Sequence, residues 1–141
     1  MTGHRPFTQA WADAVRHSIN GDAHYRAVAA EWSWSIAMVL DAVPEFGYTR
    51  DTAVEFALDR GTCTAAVVVD PASLRAPFVL RARYAVWKRI VRGVTDPVMA
   101  LILRQVSLHG SFSTLMLHAG AAKALVACAR RVPTEFPDEL V

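Results

Sequence analysis

The sequence predicts an α+β fold built on a five-stranded, mostly antiparallel sheet. Apolar residues recur at helical spacing near both ends of the chain, whereas apolar and polar residues alternate through much of the middle. Helical segments that cluster apart from a run of strands are typical of this class. The 141 residues are expected to form a single domain, 1–141.

Two helices are predicted before the first strand. Residues 8–19 carry an apolar stripe at spacings of four, formed by Trp11, Val15 and Ile19. Gly21 ends this helix, and Asp22 is placed to cap the next one. The buried face of the second helix is predicted to comprise Tyr25, Val28, Ala29 and Trp32.

Strands follow from the change to a period of two. The first strand is indicated by the alternating apolar residues Trp34, Ile36, Met38 and Leu40. The second has Val54, Phe56 and Leu58 on one face. The tripeptide Arg60-Gly61-Thr62 indicates a tight hairpin leading to the third strand, 63–70. The fourth and fifth strands are predicted at 77–82 and 106–110.

Further helices are predicted in the C-terminal half. The first of them has Tyr84, Trp87 and Val91 at helical spacing. Gly93 ends it, and Asp96-Pro97 begins the next helix by a cap-and-proline signal. Residues 97–103 are apolar on nearly every side, so this helix is expected to be buried or to line something. A helix of this kind in so short a chain indicates a possible apolar cavity and, with it, a lipid-like ligand. Ser111 is placed to cap a long final helix over 112–131.

Three passages of the C-terminal half occur in a distinctive order. They are the strand-to-helix passage 77–88, the run Gly93, Thr95-Asp96-Pro97 and Ala100, and the short strand Val106-Ser107-Leu108-His109-Gly110. In order and spacing they resemble the sterol carrier protein two family of sterol-binding domains. The exit Val132-Pro133-Thr134-Glu135-Phe136 is similar to that of stand-alone bacterial members. The resemblance extends over about residues 22–136. Arg104-Gln105 depart from it, since the family usually has a glycine followed by a lysine there.

This resemblance implies a fold and a function. The fold is a five-stranded sheet covered by helices, with an apolar cavity between the layers. Family members bind sterols, fatty acids, acyl-CoAs or other lipids without catalysis. We therefore expect non-catalytic binding and transfer of an apolar small molecule, with transient contact to a membrane or an enzyme and with no cofactor or metal.

Apolar residues of the predicted C-terminal elements are the candidates to line the pocket. They are Met99, Leu101, Ile102, Leu103, Leu108, Phe112, Leu115 and Met116. Methionine suits an adaptable lining. Trp87 and Phe78 are weaker candidates, together with Trp34 and Phe56, because large aromatic side chains usually fill space. The alternative for every one of these residues is ordinary core packing, since an apolar face looks the same in both cases.

The charge of the chain excludes some classes of partner. The net charge is only +2, and no basic run is interleaved with aromatic residues, so a nucleic-acid partner is not expected. Positive charge near the predicted helices comes from Arg81, Arg83, Lys88, Arg89, Arg92 and Arg104. These side chains are candidates to meet an anionic head group or a membrane surface. The alternative is a solvated helix face and strand edge.

The predicted compartment is the cytoplasm. The longest apolar runs, 65–69 and 98–103, are far shorter than the ~18 residues of a membrane span. The N-terminal segment 1–6 lacks the apolar core of a signal peptide. Cys63 and Cys128 share no motif, so free buried thiols are expected rather than a disulfide.

Two other functions remain open from the sequence. An enzyme or biosynthetic accessory protein would act on a hydrophobic intermediate in the same pocket, with His109, Asp41 or Glu55 as the first catalytic candidate. His109 and His118 have no metal-ligand spacing. A third hypothesis has no ligand, because the hydrophobic content of 53% would also suit a homodimer interface.

Overall fold

The computed structural model describes residues 3–140, in which six α-helices pack on one five-stranded sheet. Met1, Thr2 and Val141 lie outside the described residues, and with them part of the segment considered for a signal peptide. The helices are α1 (Gln9–Asn20), α2 (Ala23–Val28), α3 (Tyr84–Val91), α4 (Pro97–Ile102), α5 (Phe112–Leu117) and α6 (Ala119–Arg130). The strands are β1 (Ile36–Leu40), β2 (Thr52–Asp59), β3 (Thr62–Val69), β4 (Phe78–Ala82) and β5 (Ser107–His109).

The sheet has the strand order β3-β2-β1-β4-β5. The predicted fold class is confirmed, because every neighbouring pair is antiparallel except β1 and β4, which are parallel. β1 occupies the centre, and all five of its residues are buried. The predicted start of this strand at Trp34 is wrong. Trp34 lies two residues before β1 and is 37% exposed, because its ring packs across Trp32 rather than within the sheet.

The two N-terminal helices largely follow their predicted patterns. Trp11, Val15 and Ile19 are buried on one side of α1, as expected from their spacing. The Asp22 carboxylate accepts a hydrogen bond from the Tyr25 amide at 2.7 Å, which confirms the predicted cap. Val28 does not join the buried face and is 38% exposed, because α2 ends at this residue and the chain changes direction.

The final helix is not continuous. α5 ends and α6 begins at His118, where the prediction has one helix over 112–131. The His118 ring packs edge-on against Trp32 at 5.3 Å and is tilted against Trp34 at 5.8 Å. This contact joins residues far apart in sequence, so local helix spacing could not reveal the break.

Gly93 and Arg104 lie on either side of α4 in the sequence. Gly93 has a φ of 79° just beyond α3, which confirms the predicted stop. Arg104 follows α4 with a φ of 61°, a left-handed conformation that favours glycine. The departure at Arg104 from the family's usual glycine therefore falls where the backbone still has the glycine-favouring geometry.

The ends of the described chain are joined. His4 and Thr134 form a parallel bridge, in which the His4 amide donates to the Pro133 carbonyl and the Glu135 amide donates to the His4 carbonyl, each at 2.9 Å. The Trp11 indole adds a hydrogen bond to the Thr134 hydroxyl at 3.1 Å. No helix within residues 3–140 combines the length and the hydropathy needed to cross a bilayer.

Candidate functional site

An apolar cavity of about 60 Å³ lies between the sheet and the helices. Strands β1, β2 and β4 form its floor, and all six helices except α2 contribute to its walls. Its eighteen lining residues are all apolar: Val15, Ile36, Met38, Phe56, Leu80, Trp87, Ile90, Val91, Pro97, Val98, Leu101, Val106, Leu115, Met116, Ala122, Leu125, Val126 and Ala129.

Strand register brings the floor together. Alternation along β1 points Ile36 and Met38 to the same face of the sheet. Ile36 lies opposite Phe56 of β2, and Met38 lies opposite Leu80 of β4. Four side chains from three strands therefore form one apolar surface beneath the helices.

Trp87 contributes the single polar side-chain atom of this lining. Its indole nitrogen donates a hydrogen bond to the carbonyl of Val39 at 2.9 Å. The donor is thereby satisfied within the fold, and the ring presents only carbon to the cavity. A guest in the cavity would meet hydrophobic contact with no polar group to orient it.

Helix α4 has two opposite apolar faces. Val98 and Leu101 line the cavity. Met99, Ile102 and Leu103 point the other way and are 50%, 53% and 60% exposed. The prediction that this helix is buried or lines something is thus right for one face and wrong for the other. A helix with no polar face carries no signal that fixes its rotation.

The predicted site residues divide into three groups. Leu101, Leu115, Met116, Trp87 and the weaker candidate Phe56 line the cavity. Met99, Ile102, Leu103 and Phe112 do not line this cavity, because their side chains face outward and are about half exposed or more. Leu108 and Phe78 also lie off the cavity: Leu108 is half-buried in a surface groove, and Phe78 is buried against Trp32 at 5.0 Å between ring centroids.

Most of the lining was not predicted, although part of it carried a signal in the sequence. Ile36 and Met38 belong to the alternating pattern that predicted β1, so their shared face was available from the sequence. Ile90 lies three residues after Trp87 on α3 and was available in the same way. The missed residues of α6 had no comparable signal, because this helix is apolar or small along most of its length: Ala122, Leu125, Val126 and Ala129.

Half of the predicted basic surface is neutralised by carboxylates. Arg81 binds Asp41 at 2.8 Å and Asp51 at 2.9 Å, and its hydrogen bond holds the pKa of Asp51 below the ordinary value. Lys88 binds Asp138 and Glu139, each at 2.7 Å, and Arg92 also binds Glu139. Arg81, Lys88 and Arg92 therefore already have carboxylate partners within the fold, and their role toward a head group stays a prediction. Arg83, Arg89 and Arg104 are exposed.

The catalytic candidates of the enzyme hypothesis lie away from the cavity. His109 is exposed on β5, at the edge of the sheet. Asp41 binds Arg81, and Glu55 accepts hydrogen bonds from the amides of Arg75 and Ala76 at 2.9 and 2.7 Å. Within residues 3–140, none of these three side chains lines the apolar space.

Both cysteines are free and buried, as predicted. Burial raises the pKa of the Cys63 thiol to about 11 and that of the Cys128 thiol to about 12. Such thiols are protonated at neutral pH and are poor nucleophiles. They belong to the packed interior rather than to a reactive site.

Comparison with known proteins identifies related folds. A crystal structure of sterol carrier protein 2 has a TM-score of 0.87 and 33% identity, over 91% of this chain and 99% of that one. The solution structure of a conserved hypothetical protein of Thermus thermophilus, suggested to be a sterol carrier protein, has a TM-score of 0.87 and 32% identity, over 96% of this chain and 94% of that one. A ubiquinone synthesis protein, UbiJ-SCP2, has a TM-score of 0.54 at 9% identity, over 90% and 93%, and shares the fold alone. No protein-family model and no curated protein matches the sequence.

Proposed function

Because the chain belongs to the sterol carrier protein 2 family, we propose that it binds an apolar, lipid-like molecule in the cavity between its sheet and helices. A sterol or a fatty acid is the expected class of ligand, and the role is to carry this ligand to a membrane or an enzyme. The observation that carries the proposal is the lining, in which all eighteen residues are apolar.

Hydrophobic transfer alone is sufficient for such binding. A chain of ~16 methylenes gains roughly 13 kcal/mol at ~0.8 kcal/mol each when it leaves water. Association and ordering cost at least ~4 kcal/mol. Micromolar affinity corresponds to about −8 kcal/mol, so it is reachable without a polar contact.

The ligand must enlarge the cavity as it enters. The space of about 60 Å³ is well below the ~300–1,000 Å³ typical of small-molecule sites. The sheet is held by strand-to-strand hydrogen bonds, whereas α4 and α5 are only six residues long each. We therefore expect these two helices to move outward, with the break at His118 between α5 and α6 as one point of bending.

Five of the residues predicted from the sequence remain in the proposed site, and one of them, Phe56 of β2, belongs to its floor. Leu101 of α4 and Leu115 and Met116 of α5 lie on the helices expected to move, and Trp87 of α3 forms part of the opposite wall. Leu101 and Leu115 are 9% and 3% exposed, so a guest would displace their present contacts. Met116, an unbranched and adaptable side chain, suits a wall that must repack.

A non-catalytic role suits this site better than the enzyme hypothesis. The lining within residues 3–140 contains no acid, base or nucleophile, and His109, Asp41 and Glu55 lie elsewhere. An accessory role, in which the protein holds a hydrophobic intermediate for another enzyme, uses the same binding step. It therefore differs from the carrier role only in the protein that receives the ligand.

The test is ligand uptake by a matched pair of variants in α6. Ala122 lines the cavity and Ala127 does not, although both are half-buried on the same helix. Ala122→Phe places a ring in the binding space, and we expect it to weaken binding of a fluorescent fatty acid or sterol about tenfold or more. Ala127→Phe should bind as the unchanged protein does.

Circular dichroism and thermal unfolding establish that both variants fold. Equal binding by the two folded variants would contradict the proposed site, and no binding by the unchanged protein of any fatty acid or sterol probe would contradict the proposed function. Native mass spectrometry of protein purified from its own host adds an independent measurement, because a bound lipid appears as a defined increase in mass.

A further inference from the structure

The cavity comes nearest to solvent between α4, α5 and α6. The lining residues of α1, α3, β1 and β2 are all buried. On α4, α5 and α6, by contrast, five lining residues are only half-buried: Pro97, Val98, Met116, Ala122 and Val126. We call the region that these five residues surround the mouth of the cavity.

One ion pair connects two sides of the mouth. The Nζ of Lys123 on α6 lies 3.5 Å from a carboxylate oxygen of Asp96, the residue that precedes α4. Lys123 follows Ala122 directly and lies three positions before Val126, which places it on the same side of α6 as Val126. The side chains of Lys123 and Asp96 are 54% and 46% exposed, so both charges lie in water at the edge of the apolar space.

Asp96 and Lys123 depend on this pair unequally. Asp96 also caps α4, where its carboxylate accepts hydrogen bonds from the amides of Val98 at 2.8 Å and Met99 at 3.1 Å. The hydrogen bond from Met99 holds the pKa of Asp96 below its ordinary value, so this carboxylate is ionised at neutral pH. Among the ion pairs of residues 3–140, the one between Lys123 and Asp96 is the longest. Lys123 is therefore the less well satisfied member of the pair.

Opening of the cavity would separate the two charges further. The proposed ligand requires α4 to move outward, and Asp96 would move with this helix because its carboxylate is bonded to the amides of α4. Lys123 would remain in place, since α6 has twelve residues and packs against α1, α2 and α3 as well as α4. Entry of a ligand would thus leave one ammonium group at the mouth without its counter-charge.

The polar end of a ligand has no partner inside the cavity. The indole nitrogen of Trp87, the single polar side-chain atom of the lining, already donates to the carbonyl of Val39. Burying a polar group without a hydrogen-bond partner is costly, so the polar end would lie at the mouth. There a carboxylate could accept from Lys123, and such charge-assisted hydrogen bonds are roughly twice as strong as neutral ones.

We propose that Lys123 pairs with the head group of the ligand, and that the ligand is therefore an apolar molecule that ends in a carboxylate. The inference rests on the proposed function, because it assigns the polar end of the molecule that the cavity holds. The other charges on this side agree with it. Neither α4 nor α5 contains a charged residue, and Arg130 of α6 adds a second cation beside Gly93, in the turn before α4.

The experiment compares two probes with the same chain length, dodecanoic acid and 1-dodecanol. Both are delivered from cyclodextrin to the full chain at a pH at which the free acid is ionised, and calorimetry measures each affinity. The quantity that tests the proposal is the ratio of the two affinities, because the shared chain cancels. We expect added salt to weaken binding of the acid and to leave binding of the alcohol unchanged.

Two variants of the ion pair should act in opposite directions. Lys123→Gln removes the head-group partner, and we expect it to lower the affinity for dodecanoic acid about fivefold while the affinity for 1-dodecanol stays the same. Asp96→Asn keeps a good helix cap but removes the competing carboxylate, so it should raise the affinity for the acid alone. If the pair merely held α4 against α6, both variants would change the affinities for both probes in the same direction. That result would overturn the proposal.

Arg75→Gln is the matched control for net charge. Arg75 is exposed in the segment before β4 and does not line the cavity, so this variant should bind both probes as the unchanged protein does. Thermal unfolding establishes that each variant folds. An equal loss of acid affinity in Arg75→Gln and Lys123→Gln would assign the effect to net charge and overturn the proposal.

The two probes also separate this inference from the proposed function. Binding of both probes with an acid affinity that Lys123→Gln leaves unchanged would overturn the role of Lys123 and leave the cavity as the ligand site. If the unchanged protein bound neither probe, the proposed function and the head-group partner would both be overturned.

Discussion

Val91→Ile is the most direct probe of the cavity. Val91 ends α3, lines the cavity and is 4% exposed. Isoleucine keeps the branched shape of valine and adds one methylene that can extend into the empty space. The substitution should therefore stabilise the ligand-free protein and reduce the room for a guest.

The size of the stabilisation follows from the volume. At about 24 cal/mol per Å³, filling the whole 60 Å³ is worth at most about 1.4 kcal/mol. One buried methylene supplies ~0.8 kcal/mol of that amount. An unfolding entropy of about 2.1 cal/mol/K per residue gives ~0.3 kcal/mol/K for 141 residues, so Tm should rise by about 3 °C.

Val86→Ile is the control for packing without a cavity. Val86 lies on the same helix and is 2% exposed, but it does not line the cavity. The extra methylene has no space there, and overpacking typically costs ~1–3 kcal/mol.

Calorimetry and urea unfolding measure both substitutions. A Tm that falls in Val91→Ile, as it should in Val86→Ile, would contradict the cavity at this position, because the methylene would then have met filled space. A second requirement is that Val91→Ile weakens uptake of a fluorescent fatty acid. Higher stability with unchanged uptake would separate this space from the ligand site.

Three other properties can be tested without a ligand. Arg104→Gly should stabilise the fold by about 0.5–1 kcal/mol in urea unfolding, because relief of the ~1–2 kcal/mol left-handed strain exceeds the entropic cost of glycine, whereas Arg104→Ala should not. The hydrogen bond from Lys88 holds the pKa of Asp138 below its usual value, so this carboxylate stabilises the fold above about pH 4 and loses that contribution as the pH falls through its folded-state pKa. Asp138→Asn should therefore be less stable than the unchanged protein near pH 6, and the gap should narrow toward pH 3; a gap that stays constant would contradict the assignment. With pKa values of about 11 and 12, buried Cys63 and Cys128 should react with Ellman's reagent at pH 8 only after urea is added, and rapid reaction of the folded protein would contradict their burial.

The fold was predictable wherever the sequence had a period. The stripe of Trp11, Val15 and Ile19 identified the buried side of α1, and alternation identified all of β1, although the predicted strand began two residues too early. Cap residues also worked, since Asp22 and Asp96 each accept amide hydrogen bonds at a helix start. At these positions the local sequence preference for a helix, a strand or a cap agrees with the final structure.

The site was predictable only in part. An apolar segment without a polar face does not indicate which of its residues point toward the interior. Leu101 and Ile102 are adjacent and chemically alike, yet one lines the cavity and the other is 53% exposed. Long-range contacts caused the other errors. The final helix divides at His118, whose ring packs on Trp32 and Trp34, and no spacing within 112–131 encodes that contact.

The bridge between His4 and Thr134 makes the two ends of the described chain interdependent. Ends of a domain commonly fray independently. Here the first residues hold the segment that leads to Phe136, which is 3% exposed and packs near Tyr84 of α3. Shortening the chain at its start should therefore accelerate hydrogen exchange at Glu135, more than a hundred positions away in sequence, before any change reaches the central strands.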